Sequence, residues 1–216
     1  MSRPRIAVIP THNRPQELGV AVTAIGPQVD TVIVIDNASD PPVNGVEAIV
    51  IRDPEQPPNL SRLWNIGLDA AAAWAKGHDE WDVAILNDDT IAYPDWMDKV
   101  SRGLRETTAA AAYTSNPYMN RIVIHGPHSG WGTGTRVHGW AFAMRGETTF
   151  RFDERFRWWA GDDDASVWFR NNGGIAAVPG DEVLNTLANS STAGELMVQA
   201  AKDMQTFVDK WGRRPW

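Results

Sequence analysis

Two adjacent carboxylates follow a short apolar run near the middle of the chain. In "WDVAILNDDTIAYPDW", residues 83–86 are typical of a buried strand, and Asn87, Asp88 and Asp89 come directly after it. Like charges resist being held this close, so a cation beside them would relieve the repulsion. Carboxylate and amide oxygens are the ligands that Mg²⁺ and Mn²⁺ prefer. The pattern fits a metal site, and from spacing alone it fits a solvated, helix-capping turn equally well.

A second acidic run, "GDDDA", places Asp162, Asp163 and Asp164 at the start of a predicted helix. Carboxylates in a first helical turn complement the helix dipole, which is a purely structural use for all three. Successive helical side chains point about 100° apart, so at most one or two of them would face a common ligand. The sequence leaves open which aspartate is chemically active.

The elements that must position these side chains alternate along the first half. Apolar, β-branched runs predict strands at residues 5–9, 30–36, 48–52, 82–86 and 109–115, the first of them ended by Pro10. Helical spacing predicts helices at residues 15–25, 59–75 and 93–106. This alternation predicts an α/β fold with a mostly parallel central sheet covered on both faces. "THN", "DNASD" and "NDD" each follow a strand, at the sheet edge where ligands bind in such folds.

The second half has a weaker pattern. Residues 125–135 are rich in glycine and predict a loop, residues 136–146 and 175–179 predict strands, and a helix leads up to Gly173 and Gly174. A last helix is predicted at about residues 193–211. No repeat or linker divides the chain, so we expect a single domain of residues 1–216, with halves of about 1–115 and 116–216.

The composition excludes several classes of protein. A net charge of −7 argues against a dedicated nucleic-acid binder. The chain has no cysteine, which excludes disulfides and thiolate chemistry. No apolar run approaches the roughly 18 residues that span a bilayer, and the N-terminus lacks a signal-peptide pattern, so we expect a cytoplasmic protein without an integral membrane segment. Glycine-rich dinucleotide, P-loop and hydrolase-elbow motifs are absent, which leaves nucleotide binding by side chains.

The ordered motifs resemble those of the family 2 glycosyltransferases, which have the GT-A fold. The segments that carry the resemblance span roughly residues 5–170 and run in the family's order: "IPTHNRP", "VIDNASD", "NLSRLWNIGLDAA", "ILNDDTIAYPDW", "GWAFAMRGE" and "FDERFRWWAGDDDA". The resemblance implies an inverting, metal-dependent hexosyltransferase. It would use Mn²⁺ or Mg²⁺ and a nucleoside-diphosphate sugar, with a UDP-sugar the commonest donor in the family.

The same resemblance assigns roles to particular residues. Thr11, Asp36 and Asn37 would line the nucleobase and ribose pocket, and Arg62 and Asn65 would face the nucleotide-sugar. Asp88 and Asp89 would form the DxD-type motif, with Asp88 toward the ribose and Asp89 on the metal. Asp162 falls where the family places its general base. The first half would then bind the donor, and the second would bind a hydroxyl acceptor on a protein, glycan or small molecule.

The chain departs from the family pattern at two places. Many relatives have Glu where this chain has Gly161, which puts the choice among the three aspartates in doubt. Many also have a late histidine at the metal or phosphate, where this chain offers only Asn189 or Ser190. Two alternatives stay open: a nucleotidyltransferase, and a non-catalytic nucleotide- or carbohydrate-binding module.

Overall fold

A mixed eight-stranded sheet forms the centre of the protein. The computed structural model describes residues 3–181, 183–185 and 194–215. The strands are β1 (Arg5–Thr11), β2 (Thr31–Asn37), β3 (Ile49–Asp53), β4 (Asp82–Leu86), β5 (Thr90–Ile91), β6 (Ala111–Ser115), β7 (Val123–His125), β8 (Ala141–Arg145), β9 (Ile175–Pro179) and β10 (Leu184–Asn185). The helices are α1 (Pro15–Ile25), α2 (Leu60–Trp74), α3 (Trp96–Arg105), α4 (Gly161–Asn171) and α5 (Glu195–Trp211).

The strand order in the main sheet is β3-β2-β1-β4-β8-β6-β9-β7, while β5 and β10 form a separate two-stranded ribbon. Strands β3, β2, β1 and β4 are parallel to one another, whereas β8 runs antiparallel to both β4 and β6. The β6–β9 pair is parallel again, and β7 is an antiparallel edge. The mostly parallel α/β sheet predicted from the sequence is confirmed, and it takes strands from both halves of the chain.

Alternate residues of β1 explain why both faces of the sheet are covered. Ile6 and Val8 belong to one apolar core with α2, while Ala7 and Ile9 belong to the core on the opposite face with α1 and α3. All four side chains are fully buried. A strand buried on both faces must be apolar at every position, which is why "IAVI" reads as a continuous run.

Three details differ from the sequence-based expectations. The first strand continues through Pro10 to Thr11, because beyond Val8 it pairs with β2 but no longer with β4. A proline is tolerated where a strand pairs on one side only. Residues 136–140 lie outside β8, which is shorter than predicted. The strands β5, β7 and β10 were not predicted, since two or three residues carry no readable alternation.

The C-terminal helix begins near its predicted start and ends at the predicted residue. Asn189 and Ser190, the candidates to replace a late histidine, lie outside the described residues. Within the described ranges, none of the helices combines the length and apolar character needed to cross a bilayer.

Candidate active site

Polar groups meet at the carboxyl edge of the parallel strands. Thr11 ends β1, and Asp88 lies just beyond β4, which pairs with β1 in parallel. The Thr11 hydroxyl donates a hydrogen bond to Asp88 Oδ2 at 2.7 Å, and both residues are buried. The predicted convergence of the "THN" and "NDD" motifs is therefore present as a direct contact.

Arg14 lies against the aspartate pair. Its Nη1 is 3.3 Å from Asp88 Oδ1 and 3.4 Å from Asp89 Oδ2. Burial raises the pKa of Asp88 above its ordinary value, although Thr11 and Arg14 act in the opposite direction. Burial likewise raises the pKa of Asp89, and Arg14 again opposes it. Burial thus favours the neutral form of both carboxyl groups, and the positive charge of Arg14 favours the ionised form.

This donor set fits a hard divalent cation. Asp88 and Asp89 are both buried, each with about 7% of its surface exposed, and Asp89 Oδ1 is fully enclosed. In the described part of the chain, no cluster of three or more histidine or acidic side chains is arranged to hold a metal alone. Mg²⁺ ordinarily needs only one or two carboxylates when phosphate and water complete its shell.

The segment His138–Trp140 connects the aspartate pair to the second acidic run. The Trp140 carbonyl accepts hydrogen bonds from Asn87 N at 3.0 Å and from Thr90 Oγ1 at 2.9 Å. One residue earlier, Gly139 N donates to Asp162 Oδ2 at 2.8 Å. The main chain of two successive residues thus holds both acidic clusters beside the start of β8.

Among the three aspartates, Asp162 is the most exposed and accepts this hydrogen bond from the main chain. Asp163 is 2% exposed and forms an ion pair with Arg136. Burial and the neighbouring Asp162 raise the pKa of Asp163 to about 8, against the effect of Arg136. A side chain so enclosed does not reach an acceptor, and geometry takes precedence over pKa in choosing a base.

Asp164 is engaged with the C-terminal helix. Its Oδ1 accepts hydrogen bonds from Lys210 Nζ and Trp211 Nε1, each at 2.8 Å. Asp164 therefore joins α4 to α5, and Asp163 joins α4 to the segment before β8. The environments of these two aspartates are structural, which leaves Asp162 as the member of the trio with access to a ligand.

The glycine that replaces the family's glutamate lies where two helices approach closely. A Cβ built on Gly161 would be 2.8 Å from Ser61 Oγ and 3.5 Å from the Trp64 ring. A Cβ at this position would require the Ser61 side chain to move, so the lack of a side chain here lets α2 and α4 lie close together.

Asp36 and Asn37 end β2 and hold the adjoining loops. Asp36 accepts hydrogen bonds from Ser39 N at 2.9 Å and Val43 N at 3.2 Å, and it pairs with Arg52 at 3.0 Å. Burial alone would raise the pKa of Asp36, but these hydrogen bonds and the Arg52 charge keep it below its usual value. The Asn37 amide donates to Asp53 Oδ2 at 3.0 Å.

Arg62 and Asn65 also have protein partners. Arg62 forms ion pairs with Asp53 and, at 3.2 Å, with Glu55. Asn65 Oδ1 accepts from Phe152 N at 2.8 Å, and its amide donates to Phe152 O at 3.0 Å. Asn37 and Arg62 thus meet through Asp53, whereas Asn65 fixes the loop that leads to α4. Contact of these residues with a donor stays a prediction.

Sequence reasoning missed Arg14 and the segment His138–Trp140. Arg14 follows "THN" directly, and a cation three residues after Thr11 was a usable signal for charge beside "NDD". Gly139 and Trp140 begin the "GWAFAMRGE" motif, but they act through main-chain atoms, so the sequence could not show that they hold the two acidic clusters. The stacking of His138 on Trp140, with ring centroids 4.3 Å apart, is likewise visible only in three dimensions.

The comparisons with known proteins agree with this geometry. A family model described as glycosyl transferase family 2 matches residues 6–128, which is more than half of the chain. Among curated proteins, none matches the sequence.

Of two solved structures that match this chain, the first has a TM-score above 0.5 and illustrates the likeness of fold. S. aureus TarS 1–349 is 10% identical with a TM-score of 0.57, and the match covers 95% of this chain and 72% of that one. Glucosyl-3-phosphoglycerate synthase from Mycobacterium tuberculosis, solved with Mn²⁺, UDP-glucose and phosphoglyceric acid, is 18% identical with a TM-score of 0.40. That match covers 53% of this chain and 44% of the synthase. The family match over residues 6–128 and the sheet architecture lead to one conclusion: the chain belongs to glycosyltransferase family 2 and has the GT-A fold.

Proposed function

We propose that this protein is an inverting, metal-dependent hexosyltransferase. It transfers a sugar from a nucleoside-diphosphate sugar to a hydroxyl group of a protein, glycan or small-molecule acceptor. A UDP-sugar is the expected donor because it is the commonest in the family. Family membership supports sugar transfer in general, and the arrangement of the two acidic clusters supports the mechanism.

The observation that carries the proposal is the shared attachment of the two clusters. Asp88 and Asp89 are fixed beside Trp140, and Asp162 is fixed by Gly139. A single displacement needs charge stabilisation on the leaving group and a base near the attacking hydroxyl. Two adjacent but separate acidic groups meet both needs.

In the proposed reaction, Asp89 and Asp88 would hold the cation, which supplies charge neutralisation at the leaving diphosphate. Asp88 also stays bonded to Thr11, which fixes its carboxylate, and Asp88 would contact the ribose. Asn37, which is hydrogen-bonded to Asp53, would line the nucleobase side. Asp36 would shape that side by holding the turn after β2, and Asn65 would shape the donor pocket by holding Phe152.

Asp162 acts as the general base. An acceptor hydroxyl has a high pKa and loses its proton only as it attacks, so a carboxylate within hydrogen-bond reach takes the proton in the transition state. The hydrogen bond from Gly139 N fixes Oδ2 of this carboxylate, and Oδ1 would take the proton. Arg62, paired with Asp53, would face the donor.

The test is donor binding followed by donor turnover. Unfolding is followed with a panel of nucleoside diphosphates and their sugars, in Mn²⁺ and in chelator. A ligand at about 100 times its Kd is expected to raise Tm by roughly 5–10 °C for a domain of this size. The stabilising donor is then incubated with Mn²⁺, and the released product is identified.

Release of nucleoside diphosphate from the donor supports sugar transfer. In a parallel incubation with a nucleoside triphosphate and a sugar 1-phosphate, release of pyrophosphate would instead indicate a nucleotidyltransferase. Binding without any turnover, with or without candidate acceptors, would indicate a non-catalytic binding module. Asp89→Ala is expected to abolish the Mn²⁺-dependent part of donor binding. Asp69→Ala, which removes an exposed carboxylate on α2, is the matched control and should bind like the wild type.

A further inference from the structure

Arg14 lies in contact with the two carboxylates that a divalent cation would use. Its Nη1 is within 3.4 Å of one oxygen from each of Asp88 and Asp89. Its side chain is 27% exposed, while those of the two aspartates are below 10%. The guanidinium therefore approaches the aspartate pair from the solvent side, the side from which a metal and a diphosphate would also arrive.

The charges do not allow Arg14 and a metal to keep the same contacts. Asp88 and Asp89 carry two negative charges together, and one guanidinium neutralises half of them. A divalent cation on the same oxygens would lie within a few ångströms of the guanidinium, where like charges repel strongly. One of the two cations must move when the other binds.

The contacts of Nη1 are suited to exchange. Charge-assisted hydrogen bonds between nitrogen and carboxylate are ordinarily about 2.7–2.9 Å long, and these are 3.3 and 3.4 Å. By contrast, Arg105 contacts Asp82 and Glu147 at 2.5 and 2.6 Å. The Arg14 backbone is fixed, since its carbonyl accepts a hydrogen bond from Leu18 N in the first turn of α1. The side chain can therefore turn while the main chain stays in place.

We propose that Arg14 is an exchangeable counter-ion, an inference that rests on the proposed function. Without a divalent cation it neutralises Asp88 and Asp89. When the cation binds these carboxylates, the guanidinium turns to the donor's diphosphate, a group that arginine recognises through paired hydrogen bonds. Arg14 thereby weakens metal binding to the empty protein and strengthens donor binding to the metal-loaded protein.

The test uses the opposite effects that Arg14 is expected to have on metal affinity and on donor affinity. Free Mn²⁺ is measured by electron paramagnetic resonance during titration of the nucleotide-free protein, and UDP binding at saturating Mn²⁺ is measured by calorimetry. Arg14→Gln is expected to bind Mn²⁺ about tenfold more tightly and UDP about tenfold more weakly than the wild type. Arg14→Lys keeps the charge and should bind Mn²⁺ like the wild type. Arg151→Gln, which removes an exposed arginine paired with Asp69, should change neither value.

The outcomes separate this inference from the proposed function. Weaker binding of both ligands to Arg14→Gln would assign Arg14 a structural role, and unchanged Mn²⁺ affinity or unchanged UDP affinity would also overturn the exchange. A wild-type protein that binds neither Mn²⁺ nor UDP would overturn the proposed function and this inference together. If Arg14→Gln does not fold, the wild-type protein still decides the question. Its Arg14 Nε–H resonance should shift with Mg²⁺ and again with UDP, and a resonance that does not respond would contradict the exchange.

Discussion

The three consecutive aspartates at the start of α4 have different environments although they are neighbours in sequence. Asp163 and Asp164 are held by Arg136 and Lys210, and Asp162 is held by a backbone amide. Rotation of about 100° per helical residue is enough to send them to three different partners. An acidic run of this kind can therefore contain one chemically available carboxylate and two that join elements.

At this scale we expect Asp162→Asn to separate binding from turnover. The substitution keeps the shape and removes the base, so UDP affinity and Tm should match the wild type. Sugar transfer should fall by about 10²–10⁴-fold, the usual contribution of a general base. The measurement is transfer under single-turnover conditions beside calorimetry with UDP. A folded Asp163→Asn variant that loses transfer while Asp162→Asn retains it would reassign the base.

Site residues could be predicted from the sequence where a side chain within a motif performs the role. Asp88, Asp89 and Thr11 could be brought together from their positions after parallel strands. The sequence could not show that Asn65 is bonded to Phe152 or that Asp36 holds a turn, because both depend on main-chain positions fixed by tertiary packing. Their predicted contacts with a donor are still predictions.

At the scale of elements, α2 approaches β1 closely because residue 67 has no side chain. A Cβ on Gly67 would lie 2.1 Å from Val8 Cγ1, and Val8 is fully buried at the centre of the sheet. The same helix carries Arg62 and Asn65 and contacts Gly161 through Ser61. The spacing between α2 and the sheet therefore affects the start of α4, where Asp162 lies.

Gly67→Ala is expected to lower the free energy of unfolding by about 1–3 kcal/mol, because the added methyl group overpacks the core. Gly19→Ala is the matched control, since Gly19 also lies inside a helix but a Cβ there would meet nothing within 4 Å. That control should stabilise the protein by about 0.5–1 kcal/mol through its better helix propensity. Urea denaturation of both variants checks the pair, and destabilisation by Gly19→Ala as well would contradict the packing explanation.

The elements that the sequence predicted well are those with long periodic patterns. The bounds of α1 match its prediction, and α2 and β4 differ from theirs by no more than one residue at each end. The three short strands were missed, and the strand predicted at residues 136–146 contains only β8. Residues 136–140 mix Val137 and Trp140 with polar residues, and the main-chain groups of Gly139 and Trp140 are bonded to Asn87, Thr90 and Asp162 instead of to a neighbouring strand.

At the scale of the whole molecule, α5 stabilises the region that carries Asp162. Asp203, fully buried on α5, accepts hydrogen bonds from Trp158 N at 2.6 Å and Trp159 N at 2.8 Å. Lys210 contacts Asp153 at 2.9 Å and Asp164 at 2.8 Å. The C-terminal helix thus fixes both the loop before α4 and the helix itself.

The contact between Lys210 on α5 and Asp153 should make the stability of the protein depend on pH. Hydrogen bonds from Arg155 and Lys210 hold the pKa of Asp153 well below its ordinary value of 3.8. A lowered pKa in the folded state stabilises the protein above pH 3.8, and the contribution is lost as the pH falls below that value. Asp153→Asn should therefore cost about 0.5 kcal/mol at pH 7 and progressively less below pH 4. Thermal unfolding across this range checks it; a cost that does not depend on pH would contradict the ion-pair explanation.

Both acidic clusters are attached to the main chain of Gly139 and Trp140, and this affects which substitutions could change acceptor preference. In the proposed reaction, the spacing between the leaving-group side and the acceptor side depends on the Trp140 carbonyl, which every amino acid possesses, and on the Gly139 N–H, which only proline lacks. Substitutions at His138 and Trp140 would therefore change the side chains near the proposed acceptor site without changing that spacing. A library randomised at these two positions should contain many folded, active members with altered acceptor preference. One randomised at position 139, where a Cβ would lie 3.2 Å from Trp64, should contain few.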